Sequence, residues 1–382
     1  MCIFTVPMQM KAFFPAVLAA LLLSGGVRLA AQEIKVPPVP YWDCSVPPAR
    51  PLSLRTDTVT VRLIGDVMMH MPQIHHDYTE FFSRIAAPMR AADIAVANME
   101  FTLAGPPYTG YPCFSAPDSY AWTVCRDLGL DLMLTANNHI IDKGRSGLER
   151  TLTVYDRIRD SLGVRQTGVC RNPAEEEALM PAVLDCGGLR IAFVNFTYGT
   201  NLDPQPFEWP RLGRMDRNAV TAQIARAKAQ QADYIIALPH WGEEYHLRHS
   251  KEQEEWAAWL AAQGVDAVVG AHPHVVQDTT HIAGVPVIYS MGNAVSNMSK
   301  ENTRLELMVT LRFTFDDWSG RKRMLEPELR FLWCTLPGKL VKGYATIFPD
   351  EWTGRRDAWK DPSDYDEMQR TLTRVKAATG IR

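Results

Sequence analysis

Apolar residues in this chain come in short runs that alternate with longer stretches of helical spacing. The runs at 59–64, 93–97, 130–135, 189–196, 233–238, 265–269 and 285–290 have the length and β-branched content of buried strands. Between them, segments 81–92, 119–128, 147–162, 216–230 and 251–263 carry apolar residues at helical spacing. In the last of these, Trp256, Trp259 and Leu260 share one face. Residues 105–118 hold Pro106, Pro107, Gly110, Pro112 and Pro117 and read as a loop. After Asn293 the pattern changes: 305–315 and 329–336 alternate like antiparallel strands, and 363–378 close as a helix. No internal repeat is visible. Strands alternating with helices, followed by an antiparallel tail, predict an α/β layered fold.

The first residues follow a different rule. Met10-Lys11 precedes an apolar stretch at 12–23, then Ser24-Gly25-Gly26 and Ala30-Ala31-Gln32. A positive start, a short apolar core and small residues near a cut site make a secretory signal over residues 1–32. The apolar core is shorter than the ~20 residues a membrane span needs. The expectation is secretion across the inner membrane, to the periplasm or cell envelope. Residues 33–57 are rich in proline and form an extended lead-in. Without Cys2, six cysteines remain: Cys44, Cys113, Cys125, Cys170, Cys186 and Cys334. An exported chain can pair them, for example Cys113–Cys125, Cys170–Cys186 and Cys44–Cys334, or keep them as buried thiols.

Composition narrows the partners. A chain of 382 residues with 46% hydrophobic content can bury a sizeable core. A net charge of −3 and the lack of any Lys/Arg-rich run argue against a nucleic-acid partner.

The chemistry gathers where the apolar runs stop. Gly65-Asp66 ends the first run, and Asn98-Met99-Glu100 the second. Asn98 and Glu100 share one face of an extended chain, so both can reach a common ion. Asn137-Asn138-His139 follows the strand at 130–135, and His240-Trp241-Gly242-Glu243-Glu244 the strand at 233–238. Gly270-Ala271-His272-Pro273-His274 follows 265–269, with Pro fixing φ between two histidines at i and i+2. Gly292-Asn293 lines the same pocket or forms a turn. Imidazole and carboxylate groups at the ends of several strands point to a metal or acid/base site at one edge of a sheet. Lys143, Arg145 and Arg248, with Tyr108, Tyr111 and Trp241, are candidates to line a substrate groove.

These blocks, together with Asp142 and Gly144, the run from Leu260 to Gln277, and Tyr289-Ser290-Met291-Gly292-Asn293, resemble the bacterial capsule-synthesis CapA family, associated with poly-γ-glutamate capsules. The resemblance covers residues 58–298 and leaves 299–382 as a C-terminal extension of strands and a helix. That family is similar to the calcineurin-like metallophosphoesterases. The resemblance implies a four-layer αββα sandwich with a site that holds one or two divalent ions (Mn, Zn, Mg or Fe), which activate a water. It carries the metal ligands onto Asp66, Glu100, Asn138, His240, His272 and His274, and an acid or phosphate-contacting role onto His139; Glu244, a carboxylate beside the His240 block, is the other candidate to shuttle a proton. Met68 stands where the metallophosphoesterases have a histidine. The implied activity is a metal-dependent hydrolase or transferase acting on an anionic capsule polymer, at a γ-glutamyl amide or a phosphoester, beside membrane-associated capsule machinery. The alternative is a non-catalytic polymer-binding or export protein that keeps a relic pocket.

Overall fold

The structure, a computed structural model, describes residues 56–316 and 321–382. The signal segment, the lead-in up to residue 55 and Cys44 lie outside the described residues.

In chain order the first strands are β1 (Thr56–Val67), β2 (Ile94–Met99), β3 (Leu132–Leu134), β4 (Arg165–Thr167), β5 (Val169–Cys170) and β6 (Ala182–Cys186). Next come β7 (Leu189–Thr197), β8 (Arg211–Leu212), β9 (Tyr234–His240), β10 (Ala267–Val269), β11 (Thr279–Ile282) and β12 (Val285–Ile288). The tail holds β13 (Leu305–Asp316), β14 (Arg321–Met324), β15 (Glu328–Thr335) and β16 (Ala345–Ile347). The helices are α1 (Ala86–Arg90), α2 (Asp118–Leu128), α3 (Gly144–Leu162), α4 (Pro173–Leu179), α5 (Arg217–Ala229), α6 (Lys251–Ala262) and α7 (Pro362–Thr379).

Two sheets stack face to face. One has the order β16-β15-β13-β1-β2-β3-β4, with β14 paired to β13; the other has the order β11-β12-β10-β9-β7-β6. Alternation along the strands shows the layers. Val59, Val61 and Leu63 of β1, Ile94 and Val96 of β2, Ile191 and Phe193 of β7, and Ile236 and Leu238 of β9 meet in one apolar core between the sheets. The opposite face of the first sheet (Ala95, Ala97, Met133) packs on α1–α3 through Met89, Tyr120, Val124, Leu148 and Leu152. The opposite face of the second sheet (Ala192, Val194, Ala237) packs on α5 and α6 through Val220, Ile224, Trp256 and Leu260. Three cores separate four layers in the order αββα. The antiparallel tail extends the first sheet through β13, which pairs β1 from Thr56↔Asp316 to Leu63↔Val309.

Three expectations change. The helix read over 81–92 forms only over Ala86–Arg90. Pro88 has no N–H and tolerates only a helix that starts just before it. Strands β4, β6 and β11 were not legible because each lies at or next to a sheet edge and carries polar residues. Cys113, Cys125, Cys170, Cys186 and Cys334 are free thiols, so the short-loop pairings do not form. Cys125 instead sits in the core with its sulfur 3.6 Å from the Met133 sulfur. Among the described residues no helix is long and apolar enough to cross a membrane.

Candidate metal centre

The inward faces of β2 and β9 stay apolar until near the strand end, and then turn polar. On β2 the inward series is Ile94, Val96, Asn98, and then Glu100 just past the strand; on β9 it is Tyr234, Ile236, Leu238, His240. Residues of one parity share a face, so the core series itself carries these groups to the gap between the sheets.

Asp66 reaches the same gap through a bulge. The β1–β2 register shifts between Ile64 and Asp66. An extra residue reverses the alternation, so Asp66 rather than Gly65 takes the inward side. Gly65 is required there, because a Cβ would lie 2.0 Å from the Gly292 carbonyl oxygen.

The side chains converge. One ligand atom each from Glu100, His240 and His272 lies within 4.8 Å of the others. The same holds for Asp66, Glu100 and His274, and for Glu244, His272 and His274, so Glu100 joins two sets and His272 and His274 link them to the third. Asp66, Glu100, His240, His272 and His274 are buried, whereas Glu244 reaches solvent. The Asn98 amide nitrogen donates to Asp66 Oδ1 at 2.7 Å and lies 3.3 Å from His240 Nδ1. His240 Nε2 is 2.8 Å from Asn138 Oδ1. His274 Nδ1 faces Asn293 Oδ1 at 2.9 Å and Asp66 Oδ2 at 3.3 Å. Two acceptors at Nδ1 keep a proton there and leave Nε2, 3.8 Å from Glu100 Oε1, as the nitrogen that faces the donor cluster. The backbone bends sharply to achieve this: His272 has φ 99° and His274 φ 57°, in the left-handed region that non-glycine residues seldom occupy. The His272 N–H donates to Asp66 Oδ2 at 3.2 Å and helps hold the turn.

Both Glu100 carboxylate oxygens and His272 Nδ1 are buried without a hydrogen-bond partner. A buried carboxylate facing imidazoles and unsatisfied by hydrogen bonds has the surroundings of a cation site. Three imidazoles, two buried carboxylates and an amide oxygen form a mixed N/O donor set that divalent transition ions accept. The residues therefore fit a metal. The electrostatics agree. Burial drives the Glu100 carboxyl well above its usual range, and Asp66 and Glu244 push it further. Burial takes His240 down to about 3, and His272 also falls well below the ordinary imidazole value. Burial opposes the charges of Asp66 and His274, but their mutual contact outweighs it, lowering Asp66 and raising His274.

His139 sits beside this cluster rather than in it. Its Nδ1 is 2.7 Å from Asp142 Oδ2. The Asn201 amide donates to Asp142 Oδ1 at 3.1 Å, and the Phe114 ring meets the imidazole edge-on at 4.6 Å. Asn201 was not singled out in the sequence; the polar Asn195 and Thr197 ending an apolar strand were the available signal. Met68 is buried in the core on the helix side of the first sheet. His70, the nearest histidine along the chain, is not in the donor groups: its Nδ1 lies 3.1 Å from Gln73 Oε1. Trp241, read as a groove residue, is fully buried and donates to the Tyr289 carbonyl at 2.9 Å. Arg145 pairs with Glu149 and Arg248 with Asp278, while Tyr108 and Tyr111 are exposed.

The chain is 26% identical over 267 residues to the capsule biosynthesis protein CapA of Bacillus anthracis, covering 66% of this chain and 63% of that protein. It therefore spans slightly less than two thirds of that relative's length. It is 24% identical over 269 residues to the PGA biosynthesis protein CapA of Bacillus subtilis (strain 168), covering 66% of this chain and 67% of that protein. Among solved structures it is similar to the calcineurin-like phosphoesterase YfkN from Bacillus subtilis, with a TM-score of 0.47 and 13% identity over 86% of this chain and 100% of that one. The 5'-nucleotidase precursor from Thermus thermophilus gives a TM-score of 0.44 and 16% identity over 84% of this chain and 59% of that one. The layer order rests on the sheets and cores themselves. The family model described as Bacterial capsule synthesis protein PGA_cap matches residues 60–298. That span is more than half of the chain and includes every strand end that feeds the centre, so the chain belongs to the bacterial capsule synthesis protein PGA_cap family.

Proposed function

We propose that the chain is an exported, divalent-metal-dependent hydrolase or transferase that acts on a capsule polymer of the cell envelope, at a γ-glutamyl amide or a phosphoester. The observation that carries this reading is the Glu100 carboxylate, buried with both oxygens unpartnered among His240, His272, His274 and Asp66. Family membership supports capsule synthesis as the setting. The anionic character of the polymer and a membrane-associated partner belong to this proposal.

Asp66, Glu100, Asn138, His240, His272 and His274 would hold one or two ions. The ion supplies Lewis-acid polarisation of the scissile group and a lowered pKa for a water. Asn98 keeps Asp66 and His240 in register through its amide nitrogen. His139 Nδ1 is engaged by the Asp142 carboxylate at 2.7 Å and lies 2.9 Å from the Asn201 amide nitrogen, which would leave Nε2 as the atom that exchanges a proton with the leaving group. Glu244, open to solvent beside His272 and His274, is the second proton carrier. The Phe114 ring, edge-on to His139 and part of the helix-side core, gives that imidazole an apolar wall.

One observation favours the second reading, a non-catalytic polymer-binding or export protein: a buried Met68 thioether stands where a ligating imidazole was expected from the resemblance. Elemental analysis of the protein purified without chelator, beside His272→Ala, tests the metal. Release of amine from γ-glutamyl oligomers, and of phosphate from phosphoesters, tests the chemistry. Bound metal that is lost in the variant, with turnover of either substrate, supports the hydrolase. Bound metal without turnover moves the assignment to binding or export, and failure to take up Mn²⁺ or Zn²⁺ removes the metal reading. N-terminal sequencing of the protein from an envelope fraction tests cleavage of the signal.

A further inference from the structure

We propose that Glu306 is a positioning residue of the centre: it clamps the β1 bulge that aims Asp66 and the segment that carries Asn293. This inference rests on reading the centre as a metal site. Glu306 lies outside the residues that match the family model.

The argument starts from a gap in the first sheet. Pairing of β1 with β13 ends at Leu63↔Val309. Beyond that point residues 291–295 lie between the two strands. The Asp66 N–H donates to the Gly292 carbonyl at 2.9 Å, and the Ala294 N–H to the Asp66 carbonyl at 2.9 Å. On the other side the Leu307 N–H donates to the Met291 carbonyl at 2.8 Å, and Gly292 bridges Glu306. Segment 291–295 is thus a short inserted strand, and it presents Asn293 to His274.

The bulge leaves one group to satisfy. The Gly292 carbonyl is taken by Asp66, so the Gly65 N–H needs another acceptor in a fully buried place. It donates to Glu306 Oε1 at 2.5 Å. The reach is possible because Gly65 and Gly292 have no side chains: a Cβ on Gly292 would lie 2.7 Å from the Leu305 carbonyl oxygen. Glu306 faces away from the core between the sheets, which takes its neighbours Leu305 and Leu307. Its carboxyl is buried, and Oε2 has no partner. Packing alone would favour an apolar side chain here, because a buried carboxyl is costly. Its single hydrogen bond crosses the inserted segment and ties β13 to the bulge. Asp66 and Asn293, the two acceptors at His274 Nδ1, lie on the two stretches so joined.

The test uses the full chain with Glu306→Leu, which has no acceptor, and Glu306→Gln, which keeps one. Two readouts are compared: Mn²⁺ affinity by calorimetry, and amide exchange of Gly65 and Asp66 by NMR in metal-free protein, with β7 amides as the internal reference. Glu306→Leu should weaken Mn²⁺ binding about 10–100-fold, the usual effect of losing an outer-shell contact, and Glu306→Gln should restore it. Exchange at Gly65 and Asp66 should rise about 10-fold or more in Glu306→Leu, while β7 is unchanged. Wild-type exchange and affinity in Glu306→Leu would overturn the clamp, as would a Gln variant as impaired as the Leu variant. If the wild-type protein takes up no Mn²⁺, the metal reading fails, and the exchange comparison still decides whether Glu306 holds the bulge. If Glu306→Leu does not fold, Glu306→Ser, too short to reach Gly65, takes its place with the same expectations.

Discussion

Burial holds the Glu100 carboxyl in its neutral form, with Asp66 and Glu244 adding repulsion. A carboxyl whose folded pKa is raised keeps a proton that the unfolded chain releases. Stability of the metal-free protein therefore falls as pH climbs from the ordinary glutamate value of 4.5 through the raised folded value. Glu100→Gln should remove that slope and raise the metal-free melting temperature at pH 7 by about 3 °C or more. The same variant should weaken Mn²⁺ binding by about 100-fold or more, because a buried ligand is lost. A melting curve and a titration check both. His240 has the opposite sign. Its folded pKa of about 3 lies below the unfolded 6.5, so its contribution is complete above pH 6.5 and is lost as pH falls toward 3. Metal uptake near neutral pH should release protons, since Glu100 and His274 both have raised folded values. Calorimetry in buffers of different ionisation enthalpy should show that release, with affinity rising with pH. An enthalpy independent of the buffer would contradict it.

At the scale of elements, the centre depends on where strands stop and on two departures from regular pairing. Gly65→Ala would drive a methyl group into the Gly292 carbonyl, so β1 and segment 291–295 must separate. The expected cost is about 2 kcal/mol or more, with loss of metal binding, read by chemical denaturation. The C-terminal helix packs Met368 and Val375 into the inter-sheet core, and a largely buried ion pair fixes its start: the Arg304 guanidinium forks onto Asp364 at 2.6 and 2.8 Å and stacks on Trp333. Asp364→Ala leaves that largely buried guanidinium without its carboxylate and should destabilise by about 2 kcal/mol. A smaller change of urea midpoint than that cost requires would show that solvent already reaches Arg304. Elements with an unbroken apolar period, such as β7, β9 and α3, were legible in the sequence. The edge-region strands β4, β6 and β11 and the shortened α1 were not. Partners across a sheet and a single proline decide them more than periodicity does.

At the scale of the molecule, residues 58–298 do not contain the whole first sheet. Strand β13 stands between β1 and β15, and its removal would expose the long β1 edge and take Leu305, Leu307, Val309, Leu311 and Phe313 out of the inter-sheet core. A chain ending at residue 298 should therefore be insoluble or lack a cooperative transition, whereas residues 56–382 should melt cooperatively. Circular dichroism of the two decides this.

The sequence by itself determined that strands and helices alternate, that an antiparallel tail follows, and that chemistry sits where the apolar runs end. Those features follow from local periodicity and from polar residues interrupting it. Polar residues at the strand ends marked the blocks that hold Asp66, Glu100, Asn138, His240, His272 and His274, and the resemblance to the capsule-synthesis family singled these six out as ligands. Only the tertiary structure decided that Glu100 is common to two donor sets and that His139 turns to Asp142. The same is true of Asn98, Asn201, Asn293 and Glu306 as the groups that hold the others in place. Those outcomes depend on distances between segments as far apart as Gly65 and Glu306, joined only once both sheets have formed. The spacing of residues along a chain carries no record of which strand becomes the neighbour of which.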